Sequence, residues 1–135
     1  MKLQDSVITM IMTSDSKALA SCKGNEPNVV PVSTVTVVDD TIWLMNYFMG
    51  TTLENILENP QVTFACWKGL EGIKVKANVV HITSGELLEK ARVYVAEVAP
   101  IRTLKSLLVL TPTAVFDVTP EKERAGKLIV GDVII

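Results

Sequence analysis

The sequence predicts a mostly β (α+β) fold: an antiparallel sheet of six to seven strands closing into a small barrel, with two to three flanking helices. Three observations carry this. Almost a third of the 135 residues are Val, Ile or Thr, whose branched side chains are stiff at χ1 and pack well on pleated surfaces. Short apolar runs alternate with polar residues and are separated at close intervals by turn-forming residues. Only three stretches carry helical signals, and none is long. Closure follows because a barrel removes exposed strand edges.

Each element has its own signal. Leu3, Val7, Ile8 and Ile11 form an i, i+4, i+5, i+8 stripe that suits a short amphipathic helix over residues 3–12. A short strand over residues 17–23 ends at the turn-rich Gly24-Asn25-Glu26-Pro27. Residues 28–38 make the strongest strand, with Val30, Val32, Val35 and Val37 among Ser33, Thr34 and Thr36. Asp39-Asp40 is a tight turn, and residues 41–46 return as the second arm of a hairpin. After the loop Tyr47-Phe48-Met49-Gly50, Thr51 and Glu54 fit a capping box, and Pro60 drives Asn59 out of the helical region. A strand over 61–67, a turn over 69–72 and a long strand over 73–82 follow. The long strand sets Ile73, Val75, Ala77 and Val79 against Lys74, Lys76 and Asn78. A second capping box, Thr83 with Glu86, opens a helix to about Val98, striped by Leu87, Leu88, Ala91, Val95 and Val98 and supported by Glu86 and Lys90. Residues 106–110 and 113–118 are two strands flanking Pro112 or one strand bulged there. The tail is polar from Glu121 and apolar again over 128–135. No repeat or linker interrupts this order, so residues 1–135 read as a single domain of common size.

Several function classes lose support. A net charge of −2 and a pI near 5.4 do not suit a non-specific nucleic-acid binder, which needs a basic face. The aliphatic run Leu107-Leu108-Val109-Leu110 is far below the ~20 residues of a membrane span. Gln4, Asp5, Ser6 and Thr9 break up any signal-peptide core, so a cytoplasmic location is expected. Cys22, Cys66 and the lone His81 have no metal-ligand spacing, and no metal is expected. Both cysteines sit in strands and read as structural free thiols, and His81 lies among Val79, Val80 and Ile82 with no second histidine. There is no Gly-rich phosphate loop of the Walker or dinucleotide type. No side chain stands out as an acid or base, so no catalytic residue is named. One surplus remains: a mean hydropathy of +0.34 is high for so short a chain.

Residues 46–55 hold the most chemistry. A strand ends, a Gly-containing loop follows, and a helix opens on Thr51 and Thr52. A helix N-terminus combines unpaired N–H groups with about half a positive charge, and both suit a phosphate. Thr51, Thr52 and Asn55 could add contacts, although a plain N-cap and a surface polar residue explain them equally well.

Five segments then fall into a familiar order. They are Pro27-Asn-Val-Val-Pro-Val-Ser33, Thr41-Ile-Trp-Leu-Met-Asn46, Phe48-Met-Gly-Thr-Thr-Leu-Glu-Asn-Ile56, Asn59-Pro-Gln-Val-Thr-Phe64 and Gly72-Ile-Lys-Val-Lys-Ala77. Together they resemble the pyridoxamine 5'-phosphate oxidase-like, FMN-binding split-barrel family, its short single-domain members in particular, over most of residues 15–120. The resemblance implies a homodimer with FMN at the subunit interface, serving electron or hydride transfer to a small-molecule redox partner. It places the ring against the backbone of Asn46, Tyr47, Phe48, Met49 and Gly50, beside Val32 and Ser33. It places the phosphate at Thr51, Thr52 and Asn55. Trp67 is a candidate to cover the flavin from the second subunit, or is ordinary interface packing. Two alternatives stand beside this: a non-catalytic flavin carrier or sensor, and a degenerate member without FMN. Relatives of this fold also take a deazaflavin or haem.

Two departures matter. Thr51 stands where the family usually has lysine, and losing a charged partner removes a contact of ~1.5–3 kcal/mol, roughly one to two decades in affinity. Lys74, Lys76, Arg102 and Lys105 are the candidate replacements. The true oxidase also holds pyridoxal phosphate with arginine and histidine from a C-terminal segment. Here the tail after Glu121 offers only Lys122, Arg124 and Lys127, so vitamin B6 oxidation is not expected. A dimer interface well above ~1,600 Å² would account for the apolar surplus.

Overall fold

Every strand pairing is antiparallel in the computed structural model, which describes residues 1–131. The order is α1 (Asp5–Thr13), β1 (Ser16–Lys23), β2 (Glu26–Pro31), β3 (Val35–Val38), β4 (Thr41–Asn46), α2 (Thr51–Glu58), β5 (Gln61–Lys68), β6 (Glu71–Ile82), α3 (Glu86–Val98), β7 (Ser106–Asp117) and β8 (Leu128–Gly131). In space the sheet runs β2-β1-β5-β6-β7-β4-β3, with β8 beside β7. The strands at its two ends, β2 and β3, are neighbours in sequence. Four residue steps from Pro31 to Val35 span at most ~14 Å, so the sheet must curl until its ends almost meet. The seam is bridged on both sides: the Val32 N–H donates to Lys17 O of β1 at 3.1 Å, and Thr34 O accepts from Met45 N of β4 at 3.2 Å. This is the split barrel expected from the sequence.

Among the described residues there are eight strands rather than six to seven, for two reasons. Residues 28–38 are not one strand. Pro31 offers no N–H to a ladder, and beyond it the chain crosses the seam from β1 to β4. The apolar tail adds β8, where Gly131 lies so close to β7 that a Cβ would sit 2.6 Å from Ala114 Cα. Residues 132–135 of that tail lie outside the described residues. Pro112 does not divide β7; the register shifts there, with Ala77 opposite Pro112 and Lys76 opposite Ala114. The hairpin turn is as expected: Asp39 and Asp40 both have positive φ, 48° and 60°, the pattern that matches strand twist.

Neither expected capping box forms. Helices α2 and α3 begin at Thr51 and Glu86, with Gly50 and Gly85 at their N-caps and no side-chain cap. Glycine takes the junction because the chain turns sharply there: Gly85 has φ 97°. The α3 stripe is also narrower than expected, since Leu88, Ala91 and Val95 are buried while Leu87 and Val98 are exposed.

Two cores result. Inside the barrel, Leu3, Val7 and Ile11 pack with Phe64, Val75 and Leu108. Asp40 Oδ1 accepts the Leu3 N–H at 3.0 Å and pins the start of that plug. Outside, α3 lays Leu88, Ala91 and Val95 over Trp43, Met45 and Leu107.

The β7–β8 connection is held by charge. Arg124 Nε lies 2.9 Å from Asp117 Oδ2, and its Nη1 3.1 Å from Glu71. Desolvation opposes ionisation of Asp117, but Thr119 (through its backbone N–H and side chain) and Arg124 outweigh it and hold the carboxyl below its usual range. A lowered value means this stabilisation is complete above about pH 4 and is lost as pH falls through the folded-state value. Asp117→Asn should therefore lower the urea midpoint near neutrality, and the gap from wild type should narrow as pH falls below the usual carboxylate range.

Candidate functional site

A cavity of about 290 Å³ opens where β4 ends. Three parts of the fold enclose it. The first is the loop and helix start that follow β4. Asn46, the last residue of β4, is 2% exposed, and its Oδ1 accepts the Met49 N–H at 2.8 Å. That bond folds the loop back on the strand. Tyr47 is buried and its hydroxyl lies 2.8 Å from Thr34 Oγ1, whereas Phe48 is 78% exposed. Gly50 then leads into α2, whose first-turn N–H groups have no side-chain cap.

The second wall is the end of β2 and the seam, where Asn28, Val30, Pro31, Val32 and Ser33 line the cavity. Asn28 Nδ2 donates to Thr52 Oγ1 at 3.1 Å. The Thr52 oxygen is thus an acceptor within the protein, and its side chain is buried at the cavity wall. The third wall is Arg102, from the connection between α3 and β7. That connection is fixed at three points: Arg102 N to Ala99 O at 2.9 Å, Arg92 Nη1 to Leu104 O at 3.2 Å, and Lys105 N to Asn46 O at 2.9 Å.

Eight of the ten residues singled out from sequence line this cavity: Val32, Ser33, Tyr47, Phe48, Met49, Gly50, Thr51 and Thr52. Asn46 and Asn55 do not. Both are buried and turn inward, Asn46 Nδ2 to Ser106 Oγ at 2.8 Å and Asn55 Nδ2 to Ser21 Oγ at 3.0 Å. They brace the site from behind. Sequence reasoning missed Asn28, although strand alternation through Asn28, Val30 and Val32 puts it on the same face.

The four candidate cations separate cleanly. Arg102 lines the cavity, with its guanidinium carbon 5.6 Å from the Tyr47 ring centre and 5.9 Å from that of Phe48. Lys105 Nζ is 5.2 Å from the Phe48 ring centre. Lys74 and Lys76 sit instead over Phe116, at 5.3 and 5.7 Å, and neither lines the cavity. Trp67 does not line this cavity; it lies along a second cleft that shares Val30, Pro31 and Val32 with it.

The remaining reactive groups are elsewhere. Cys22 and Cys66 are free, and burial pushes the Cys66 thiol up, against weaker opposing effects of Ser14 and Lys17. Such a thiol is a poor nucleophile. Among the described residues no three His, Cys, Asp or Glu side chains group to hold a metal, and no helix is long and apolar enough to cross a membrane.

Comparison with known proteins places the chain. No protein of curated function matches it. Several solved structures share its fold. HupZ of Group A Streptococcus is 17% identical with a TM-score of 0.79, the match covering 93% of this chain and 99% of that one. An FMN-binding protein from Syntrophomonas wolfei subsp. wolfei is 19% identical with a TM-score of 0.75, covering 86% of each. An F420 reductase is 13% identical with a TM-score of 0.65, covering 84% of this chain and 98% of the other. At such identities these likenesses speak to the fold alone. The family model for pyridoxamine 5'-phosphate oxidase, however, matches residues 4–125. That span includes all three walls of the cavity, and by this match the chain belongs to the pyridoxamine 5'-phosphate oxidase family.

Proposed function

We propose that this chain is a homodimeric flavoprotein of the cytoplasm that binds FMN in the 290 Å³ cavity and passes electrons or hydride to a small molecule. The observation that carries this reading is that Arg102 and the uncapped start of α2, at Thr51 and Thr52, line the same cavity. A dianionic phosphate needs a cation and N–H donors. Thr51 and Thr52 add hydroxyls at the same helix start, and Arg102 stands in for the lysine that Thr51 replaces. Arg102 lies over Tyr47 and Phe48, and with Val32 and Met49 these rings make an apolar wall that suits a large flat ring. The residues present therefore fit FMN, and the relatives named as an FMN-binding protein and an F420 reductase support a flavin-type ring.

The bound flavin would supply the redox chemistry itself. The chain's part is to orient it. The 47–50 loop would present backbone groups to the ring edge, and Arg102 and the first turn of α2 would anchor the phosphate. A second copy has apolar surface to cover, since Phe48 is 78% and Ile101 93% exposed near the mouth. Oxidation of pyridoxamine 5'-phosphate is not part of this reading.

The test is an FMN titration followed by size-exclusion chromatography with absorbance read near 450 nm. Flavin absorbance should travel with a dimer. A protein that stays colourless after incubation with FMN, or runs as a stable monomer, overturns the proposal. If FMN binds but NADH and NADPH reduce it no faster than free FMN, the carrier reading replaces the redox one.

A further inference from the structure

We infer that His81, Ser106 and Asn46 form a one-way hydrogen-bond relay that sets the conformation of the cavity loop, making His81 and Ser106 positioning residues for whatever the cavity binds. The polarity follows from the chemistry of the atoms. The Met49 backbone N–H can only donate, so the Asn46 atom 2.8 Å from it is Oδ1. The other amide atom, Nδ2, can only donate, and it faces Ser106 Oγ at 2.8 Å. Ser106 then has its own hydrogen to place, and its remaining partner among the described residues is His81 Nε2, at 2.8 Å. In this relay that hydrogen points to Nε2, which is then the bare nitrogen of an Nδ1–H imidazole; the reverse sense would have Ser106 Oγ accept from both neighbours.

The fold builds this line from three strands. Asn46 pairs with Ser106 between β4 and β7, and His81 pairs with Leu108 between β6 and β7, two residues further along the same face. Asn46 and Ser106 are 2% and 4% exposed, while His81 is only partly buried. The line thus runs from a half-exposed imidazole, through the core, to the amide that folds the loop. Asn46 O also accepts the Lys105 N–H, so the same residue ties the Arg102 wall to the loop wall.

A network that only satisfies buried polar atoms would affect stability and nothing else. A relay predicts direction, and NMR of the ligand-free protein reads it. Long-range ¹H–¹⁵N spectra at about pH 8, where free imidazole is neutral, should show His81 Nε2 unprotonated. Asn46→Asp reverses the line: a carboxylate only accepts, Ser106 turns its hydroxyl to it, and Nε2 must now carry a hydrogen. Ser106→Ala strands Nδ2, and the Met49 amide should exchange about tenfold faster as its bond loosens. Ser106→Thr keeps the hydroxyl and should restore wild-type exchange.

The consequence for ligand rests on the proposed function: Ser106→Ala should weaken FMN about tenfold, and Ser106→Thr should not. If wild type binds no FMN, that function fails while the ligand-free readouts still decide the relay. A proton on Nε2 in the wild type overturns the relay even where no variant folds. So does a Met49 amide unmoved by Ser106→Ala.

Discussion

Arg102→Met should weaken FMN binding by about ten- to a hundredfold and leave riboflavin binding within about a factor of two, as measured by flavin fluorescence titration. Riboflavin carries the same ring without the phosphate, so the pair separates the two ends of the ligand. The size comes from losing one charge-assisted contact, ~1.5–3 kcal/mol in a partly desolvated site. Methionine retains much of the stem and removes the guanidinium that lies by Tyr47 and Phe48, and the comparison with riboflavin separates loss of charge from loss of ring contact. Adding Thr51→Lys to Arg102→Met should recover most of the loss, because it puts a cation at the helix start, where the resemblance implies a lysine. If FMN and riboflavin weaken equally, Arg102 shapes the ring pocket instead, and the phosphate assignment is wrong.

Phe64→Ala should cost about 3–5 kcal/mol, the range for removing a fully buried aromatic ring. Phe64 has no exposed surface. It sits in β5, opposite Leu19 of β1 on one side and Val75 of β6 on the other, near the middle of the sheet path. The α1 plug closes over the same cluster, which leaves little freedom for the surroundings to collapse into the gap. Chemical denaturation gives the number directly. Leu70→Ser is the matched control: at 79% exposure in the β5–β6 turn, it should change stability by no more than about 0.5 kcal/mol.

What the sequence made legible was local, and what it concealed was relational. Apolar alternation located the strands, and the Asp-Asp turn closed its hairpin as read. Pro31 was visible, but nothing local says that the chain beyond it leaves one sheet edge for the other, and so 28–38 looked like one strand. The capping boxes failed for a similar reason. Thr51 and Thr83 have the right spacing to Glu54 and Glu86, yet α2 starts one position earlier than a Thr51 cap requires and α3 only after the positive-φ Gly85, so Gly50 and Gly85 take the N-cap positions. At the site, the contiguous residues 47–52 were readable because one turn of chain presents them together. Asn46 and Asn55 have the polarity of ligand contacts, but their partners Ser106 and Ser21 are distant in sequence, and only the folded sheet shows that they face inward. Arg102 was one of four cations that sequence could not rank. The fixed connection after α3 ranks them.

The bond between Asn46 and Ser106 joins residues 60 positions apart, and β4 finds its inner neighbour only in β7. A nascent chain therefore carries the loop and α2 long before it can hold them in place. Strand pairing of such range is slow to form, because the loop between partners must close before any contact rewards it. The cavity is accordingly among the later features to mature during synthesis, and a ligand that needs all three walls would bind only once β7 is in place. By mass action such an occupant draws the chain toward its finished state. On the proposed function, FMN supply would then govern how much of this protein accumulates in the cell.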